Sequence, residues 1–471
     1  MARLLVSAAH KSSGKTTISI GLCAALSARG LRVQPFKKGP DYIDPLWLGK
    51  AAGRPCVNLD FNTMSRREIH EAFFTRIAAE STDVALIEGN KGLYDGLDLD
   101  GSNSNAALAR HLDAPVLLVI DSRGMTRGVA PLLLGYQAFD PAIRLGGVIL
   151  NRVGGMRHGS KLRAVIEHYT DIPVLGLVSD NPALQIVERH LGLVPSNEHA
   201  AAEQQIRSLA ETVGAEVDLE RISRLGAQAA VAAIPSVPDT PLAEPRVRIA
   251  VARDAAFGFY YTTDLEALER AGAELVFFDT LHDARLPETD ALFIGGGFPE
   301  SQMQALEANF AMRASIRQAI ESGMPAYAEC GGLMYLARGI NWRGDRYAMA
   351  GVLPGEVTMH DRPQGRGLVR LQETGNGPWP LTGAAGEPAS FAAHEFHYSA
   401  LEPLSGTPVY AYRVLRGHGI DGENDGIVYR NLLASYSHLR DTAQNPWARR
   451  FVEFTHAVAT GERELATTGS H

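Results

Sequence analysis

A glycine followed by a lysine and two threonines, with two serines ahead of it, is a set of residues suited to holding phosphate. The run Ala9-His10-Lys11-Ser12-Ser13-Gly14-Lys15-Thr16-Thr17 stands between the apolar stretch Leu4-Leu5-Val6 and a helical pattern that begins at Ile18. Strand, loop and helix in that order make a P-loop. Backbone N–H groups and the helix N-terminus cradle phosphates, the lysine reaches the β and γ phosphates, and the first threonine offers a hydroxyl to magnesium. Ser12, Ser13, Gly14, Lys15, Thr16 and Thr17 are the expected ATP-binding residues. The first glycine of the usual motif is Ala9 here, a replacement that is tolerated wherever φ is negative. Acidic residues gather at the ends of the next two expected strands, in Lys37-Lys38-Gly39-Pro40-Asp41-Tyr42-Ile43-Asp44-Pro45 and in Ile87-Glu88-Gly89-Asn90-Lys91-Gly92-Leu93-Tyr94-Asp95-Gly96. Carboxylates there are hard oxygen ligands for Mg2+, so Glu88 and Asp41 join Thr16 as expected metal ligands. Asp98 and Asp100 read as solvated loop carboxylates.

A second chemistry is written in Met324-Pro325-Ala326-Tyr327-Ala328-Glu329-Cys330-Gly331-Gly332-Leu333-Met334-Tyr335-Leu336. The pattern is strand, sharp turn, helix, and Cys330 falls on the turn. A thiol there is presented to substrate as a nucleophile, and the helix N-terminus favours its thiolate. Upstream, Phe293-Ile294-Gly295-Gly296-Gly297 ends another strand in bare backbone N–H groups. Gly296, Gly297 and Gly331 are the expected donors of an oxyanion hole. Three histidines are available as the base: His438, after a late strand, and His394 and His397 in His394-Glu395-Phe396-His397-Tyr398.

These residues need scaffolds to bring them together. Short β-branched runs alternate with Ala/Leu/Arg-rich helical stretches, predicting a mostly parallel α/β sheet with strands at 3–9, 32–36, 83–88, 115–120, 145–150 and 173–178. Ligands of such folds bind at the carboxyl ends of the strands, where the polar and glycine residues above fall. Pro235, Pro238, Pro241 and Pro245 are too close together for a helix or central strand, so 225–246 is the expected linker. It divides an expected first domain, 1–224, from a second at 247–445, followed by a helix and tail over 446–471. Strands are expected at 247–252 and later near 389–399, 407–412 and 426–436.

Composition narrows the class. A chain of 471 residues exceeds one core, and 45% hydrophobic with 21% charged residues is ordinary for globular enzymes. A net charge of -8 gives no footprint for nucleic acid. Lys11 and Lys15 interrupt the first apolar run before membrane-spanning length. Cys23, Cys56 and Cys330 are too few and scattered for a disulfide framework, which fits a reducing cytoplasm. Cys23, in an apolar helical run, reads as packing.

With both halves in view, the chain resembles the cobyrinate and hydrogenobyrinate a,c-diamide synthases. The motifs that carry the resemblance are Ser13-Gly14-Lys15-Thr16-Thr17, Gly39-Pro40-Asp41-Tyr42-Ile43-Asp44-Pro45, Gly92-Leu93-Tyr94-Asp95-Gly96, Glu329-Cys330-Gly331-Gly332-Leu333-Met334-Tyr335 and His394-Glu395-Phe396-His397-Tyr398. The resemblance implies an α/β fold with an N-terminal P-loop domain similar to dethiobiotin synthetase and a C-terminal class I glutamine amidotransferase domain. It implies glutamine hydrolysis at Cys330 with His438 as base, since class I enzymes place the histidine late in the chain. Most of them carry a Glu two residues after it; here that position is Arg440, as in this subgroup. It also implies ATP, Mg2+ and a tetrapyrrole carboxylate as the partners, with Tyr42, Ile43, Asp44, Glu88, Lys91 and Asp95 governing tetrapyrrole handling. Relatives usually have a small apolar pair where this chain has Asn90-Lys91, and Thr or Ser near His10-Lys11. The ring is therefore left open among cobyrinate, hydrogenobyrinate, nickel-sirohydrochlorin and sirohaem. A cobyric acid synthase-like enzyme is one alternative. A P-loop switch ATPase is another, although its signature lysine would stand where His10 is. A homodimer is one assembly the sequence leaves open.

Overall fold

The runs of Val, Ile and Leu in the first half form strands that are buried on both faces, as a parallel sheet covered by crossover helices requires. A computed structural model describes residues 2–79, 81–186, 188–189, 192–198, 201–227, 244–383, 387–402 and 406–462. Its first sheet holds β1 (Ala2–Ala8), β2 (Val33–Lys38), β3 (Val57–Leu59), β4 (Val84–Gly92), β5 (Val116–Asp121), β6 (Leu145–Val153) and β7 (Val174–Ser179). The order is β3-β2-β4-β1-β5-β6-β7, and every pairing is parallel. β3 has only three residues, too short to show a period in the sequence. Alternation survives inside the buried strands: Leu4 and Val6 face one core, Leu5 the other. Register aligns Glu88 of β4 with Val6 on one side and Lys37 on the other. The P-loop and both acidic segments therefore share one sheet end.

Two compact units, Met1–Pro238 and Asp239–His471, divide the chain. The expected first-domain limit at 224 falls inside the helix Leu219–Ala227, whose Gly226 lies against Ala2 and Leu4. The helix belongs to the first unit because its apolar face closes that core. Pro235, Pro238 and Pro241 of the expected linker, and the tail after 462, lie outside the described residues.

The second unit has a nine-stranded sheet. Its parallel half runs Ala273–Phe278, Val247–Ala252, Ala291–Ile294, Ala326–Glu329, Leu432–Ser435. The rest, Asn424–Tyr429, Val409–Arg416, Gly365–Glu373 and Ser390–His397, is antiparallel. The single strand expected over 426–436 is a hairpin, because Arg430 takes φ 53° and reverses the chain. The helix Trp447–Ala459 packs Trp447 and Phe451 against Phe293 and Tyr327, so it is part of this unit's core rather than an appendage. No helix among the described residues is long and apolar enough to cross a membrane.

In the first unit the P-loop helix, Lys15–Ala28, lies close to the helix Ala202–Glu216 because Gly21 has no side chain. A Cβ there would stand 2.4 Å from Val213 Cγ2 and 3.1 Å from the Leu209 carbonyl. Gly21→Val is expected to lower stability by about 1–3 kcal/mol through overpacking. Thermal denaturation would show an earlier midpoint, partly restored when Val213→Ala is added.

Candidate active site

At the end of β1 the backbone takes left-handed conformations at Ser12 (φ 68°) and Gly14 (φ 84°). A Cβ on Gly14 would lie 2.0 Å from Asn151 Nδ2, so only glycine fits. Asn151 Nδ2 donates to the Ser13 carbonyl at 3.0 Å, and Arg152 Nη1 donates to the Ser12 carbonyl at 3.0 Å while pairing with Asp121 at 2.7 Å. The loop is thus held from the end of β6. Sequence reasoning missed Asn151 and Arg152, although polar residues closing the strand expected at 145–150 are a signal of this kind. A cavity beside the loop is lined by Thr17, Ile18, Asn151, Val178, Leu184 and Leu209 among others.

Beneath the loop lies a buried charge cluster. Lys15 pairs with Glu88, and Thr16 Oγ1 donates to Glu88 Oε1 at 2.7 Å. Lys37, 2% exposed in its side chain, pairs with Asp44 and lies 3.3 Å from Glu88 and 3.5 Å from Asp41. Asp44 also faces Thr16 Oγ1 at 3.4 Å. Burial opposes the charge on Lys37, but Asp44, Glu88 and Asp41 outweigh it and hold its pKa well above the ordinary lysine value. Burial and the neighbouring Asp44 push Asp41 up to about 6, against the pull of Lys37. Asp44 is buried too, yet Lys37 and Lys15 hold it below the usual carboxylate range. Lys37 is a third residue that the sequence reading missed; it stood in the segment quoted, at the strand end, and only its burial reveals its partners.

Among the described residues no group of three or more His, Cys, Asp and Glu side chains is arranged to hold a metal by itself. Mg2+ in nucleotide sites asks for less, one or two protein oxygens beside phosphates and waters. Thr16 and Glu88 fit that need: their oxygens are 2.7 Å apart, and Glu88 Oε2 is buried with no hydrogen-bond partner among the described residues. Asp41 lies one lysine away from them.

The residues expected at the tetrapyrrole are spread around this end. Tyr42 is buried and precedes the helix Ile43–Ala52, with Ile43 packed on the core. Asp44 belongs to the charge cluster. Asp95 Oδ2 accepts the Gly92 N–H at 2.9 Å and closes the turn after β4. Lys91 is exposed with φ 46°. Near it Lys38 donates to Asn90 Oδ1 at 3.0 Å; burial lowers the Lys38 pKa to about 8, Asp60 opposes this, and Lys91 and Lys37 add to it.

In the second unit Cys330 has φ 47° and ψ −101° between the strand Ala326–Glu329 and the helix Gly331–Leu336. This is the sharp elbow expected of a nucleophile. The turn is possible because glycines follow it: a Cβ on Gly332 would stand 2.1 Å from the Ile294 carbonyl, and one on Gly331 2.9 Å from Gly297 N. Cys330 N donates to the Ser435 carbonyl at 2.7 Å. Three residues on, His438 turns its ring toward the same glycine run, where a Cβ on Gly296 would meet His438 Cε1 at 2.6 Å. Cys330, His438, Gly296, Gly297 and Gly331 therefore converge.

The other histidines take different places. His394 stacks on His438, ring centroids 4.9 Å apart, and its Nδ1 faces the Tyr261 hydroxyl at 3.2 Å. Burial first, then His438 and Arg440, hold His394 well below the ordinary imidazole pKa, so it is neutral. His397 stacks on Tyr436 at 3.9 Å, with Nδ1 on the Ser399 carbonyl at 2.8 Å. Arg440 lies over the Tyr261 ring at 4.0 Å and 3.6 Å from Asp264. One expectation is corrected. Burial, followed by Glu300, pushes the Cys330 thiol well above its ordinary pKa, while its bond from the Gly331 N–H pulls the other way. A helix of six residues does not offset that burial, so the resting group is the thiol rather than the thiolate.

Residues 5–194 match the CobQ/CobB/MinD/ParA nucleotide binding domain, and 248–446 the CobB/CobQ-like glutamine amidotransferase domain. A cobyrinate a,c-diamide synthase of Magnetococcus marinus is 47% identical, covering 96% of this chain and 97% of its own length. The chain belongs to the cobyrinate a,c-diamide synthase family. Two further members of that family, from Methanosarcina acetivorans and Methanosarcina barkeri, are 41% and 40% identical over 96% of this chain and 95% of their own. In this family member the two centres described above fall within the two matched regions.

Removing the Lys37 charge tests the buried cluster. Lys37→Met should cost about 3–5 kcal/mol, the usual result of leaving buried carboxylates without their partner. The pH dependence has a definite sign. Without Lys37 the folded-state pKa of Asp41, already above its unfolded value, rises further and that of Asp44 rises with it, and a raised carboxylate loses stability as pH climbs from its unfolded towards its folded pKa. Denaturant midpoints should therefore differ from those of the unaltered protein more at about pH 8 than at about pH 5.

Proposed function

We propose that the protein is an ATP-dependent, glutamine-hydrolysing synthase that converts the a and c acetate carboxylates of cobyrinate to amides. The observation that carries this reading is the occurrence, in one family member, of a P-loop backed by buried carboxylates and of a cysteine elbow facing a glycine run. Neither centre alone makes an amide from glutamine. The names of the relatives favour cobyrinate over the other acetate-bearing rings, and we place the reaction in the cytoplasm, where free thiols such as those of Cys23, Cys56 and Cys330 persist.

In the second unit the Cys330 thiol attacks the side-chain amide carbon of glutamine. His438 takes the thiol proton as the C–S bond forms and returns it to the departing ammonia. Backbone N–H groups at Gly296, Gly297 and Gly331 receive the developing oxyanion. Water then cleaves the thioester, giving glutamate and free Cys330.

In the first unit a substrate carboxylate oxygen attacks the γ phosphorus of ATP, forming an acyl phosphate and ADP. Ammonia adds to the acyl carbon, and phosphate leaves with the C–O electron pair. Carboxylate and triphosphate repel each other, so cationic screening is the main demand on the protein. Lys15 supplies it at the phosphates. Thr16 and Glu88, with Asp41 nearby, would hold Mg2+, which supplies further charge at the phosphate oxygens. The cavity beside Thr17 and Asn151 is where the nucleobase would rest. Lys38 and Lys91 are placed to meet carboxylates of the ring, with Tyr42, Ile43 and Asp95 around them.

Incubation with cobyrinate, ATP, Mg2+ and either glutamine or ammonium tests both centres, with mass spectrometry counting acid-to-amide conversions. Cys330→Ser should lose amidation from glutamine and keep it from ammonium. Lys15→Ala should lose both, by roughly a hundredfold or more for a screening charge worth about 3 kcal/mol. Near-normal ADP release by Lys15→Ala would rule out the phosphate role of the loop.

A further inference from the structure

The imidazole of His438 needs a group that fixes its tautomer and supports its charge, and the position two residues on, Arg440, is turned toward Asp264. Glu329, the residue before the nucleophile, lies on the other side of the ring. Its Oε2 is 3.3 Å from His438 Nδ1. Its Oε1 accepts the Leu439 N–H at 2.8 Å and the Tyr327 hydroxyl. The side chain is buried, as are those of Tyr327 and His438. A carboxylate out of water, fixed on one oxygen by a backbone N–H and a phenol, has its second oxygen aimed at the imidazole. Sheet register makes this arrangement: Glu329 ends its strand opposite Ser435, and His438 follows three residues later.

We infer that Glu329 is the third member of the glutaminase triad, a positioning residue that orients His438 and supports the imidazolium formed when it takes the Cys330 proton. The inference rests on the proposed glutaminase reading and adds a residue to it. The usual triad brings its acid from beyond the histidine. In this chain the acid comes from the strand that delivers the nucleophile, so Cys330 and the orienter of its base are consecutive. With Nδ1–H donated to Glu329, Nε2 is the nitrogen left to receive the thiol proton. The resting thiol makes this more important, because proton removal must accompany attack.

Glutamate release from glutamine, with ATP and cobyrinate present, tests the inference in the full chain. Glu329→Gln should lower kcat by roughly a hundredfold or more, as loss of the orienting acid does in such triads. KM for glutamine should stay within about twofold, since the residue acts in proton transfer rather than binding. Glu329→Asp should recover part of the loss, and Tyr327→Phe, which frees one anchor of the carboxylate, should show a smaller fall in kcat. Amidation from ammonium in the same preparations should be unchanged, a result that a merely unfolded variant would not give. A Glu329→Gln enzyme with near-normal kcat, beside an inactive Cys330→Ser, would overturn the triad and leave the glutaminase reading standing. Glutamine hydrolysis by Cys330→Ser would instead overturn that reading. Should Glu329→Gln fail to fold, unchanged kcat in both Glu329→Asp and Tyr327→Phe would refute the inference.

Discussion

A carboxylate withdrawn from water must be matched by cations and donors, and in each unit one such carboxylate fixes the chemistry around it. Glu88 has no exposed surface and is met by Lys15, Lys37 and Thr16. Glu329 is met by Tyr327, Leu439 N and His438. Because ionic partners lost from a buried site cost several kcal/mol, the groups around these two residues have little freedom to wander. The lysine of the P-loop and the proposed base of the glutaminase centre are each positioned in this way.

The second recurring device is close backbone approach. Gly331 against Gly297 N and Gly332 against the Ile294 carbonyl leave no room for a Cβ, and at Gly14 the Asn151 side-chain amide takes that place. These contacts pull loop backbone down onto the ends of parallel strands, where N–H groups are free of the ladder. A parallel sheet offers such ends at every crossover, which is why one architecture carries phosphate chemistry in the first unit and acyl chemistry in the second.

Burial also sets the limits of electrostatic help. The helix behind Cys330 is short, and the site around the thiol is buried and faces Glu300, so the neutral thiol is the resting form. In the first unit the balance runs the other way for Lys37, where three carboxylates outweigh desolvation. The same physical terms thus leave one group neutral and another charged, and the outcome depends on how many opposite charges lie within reach.

The sequence by itself determined the alternation of strands and helices in the first unit apart from the short β3, the P-loop, the cysteine elbow and the glycine run, because each is a local pattern whose meaning depends on neighbours in the chain. It left three things to the tertiary structure. The surroundings of the histidines are one: the resemblance pointed to His438 by its late place in the chain, and stacking then places His394 behind His438, and His397 against Tyr436. The partners of Lys37 come from β4, a loop and the first turn of the helix Ile43–Ala52, and its meeting with Glu88 is one that only the β2–β4 register produces. Arg440 looked like a vacancy in the triad, whereas Glu329 was in plain view beside Cys330 yet unreadable, since its distance to His438 depends on pairing between strands more than a hundred residues apart.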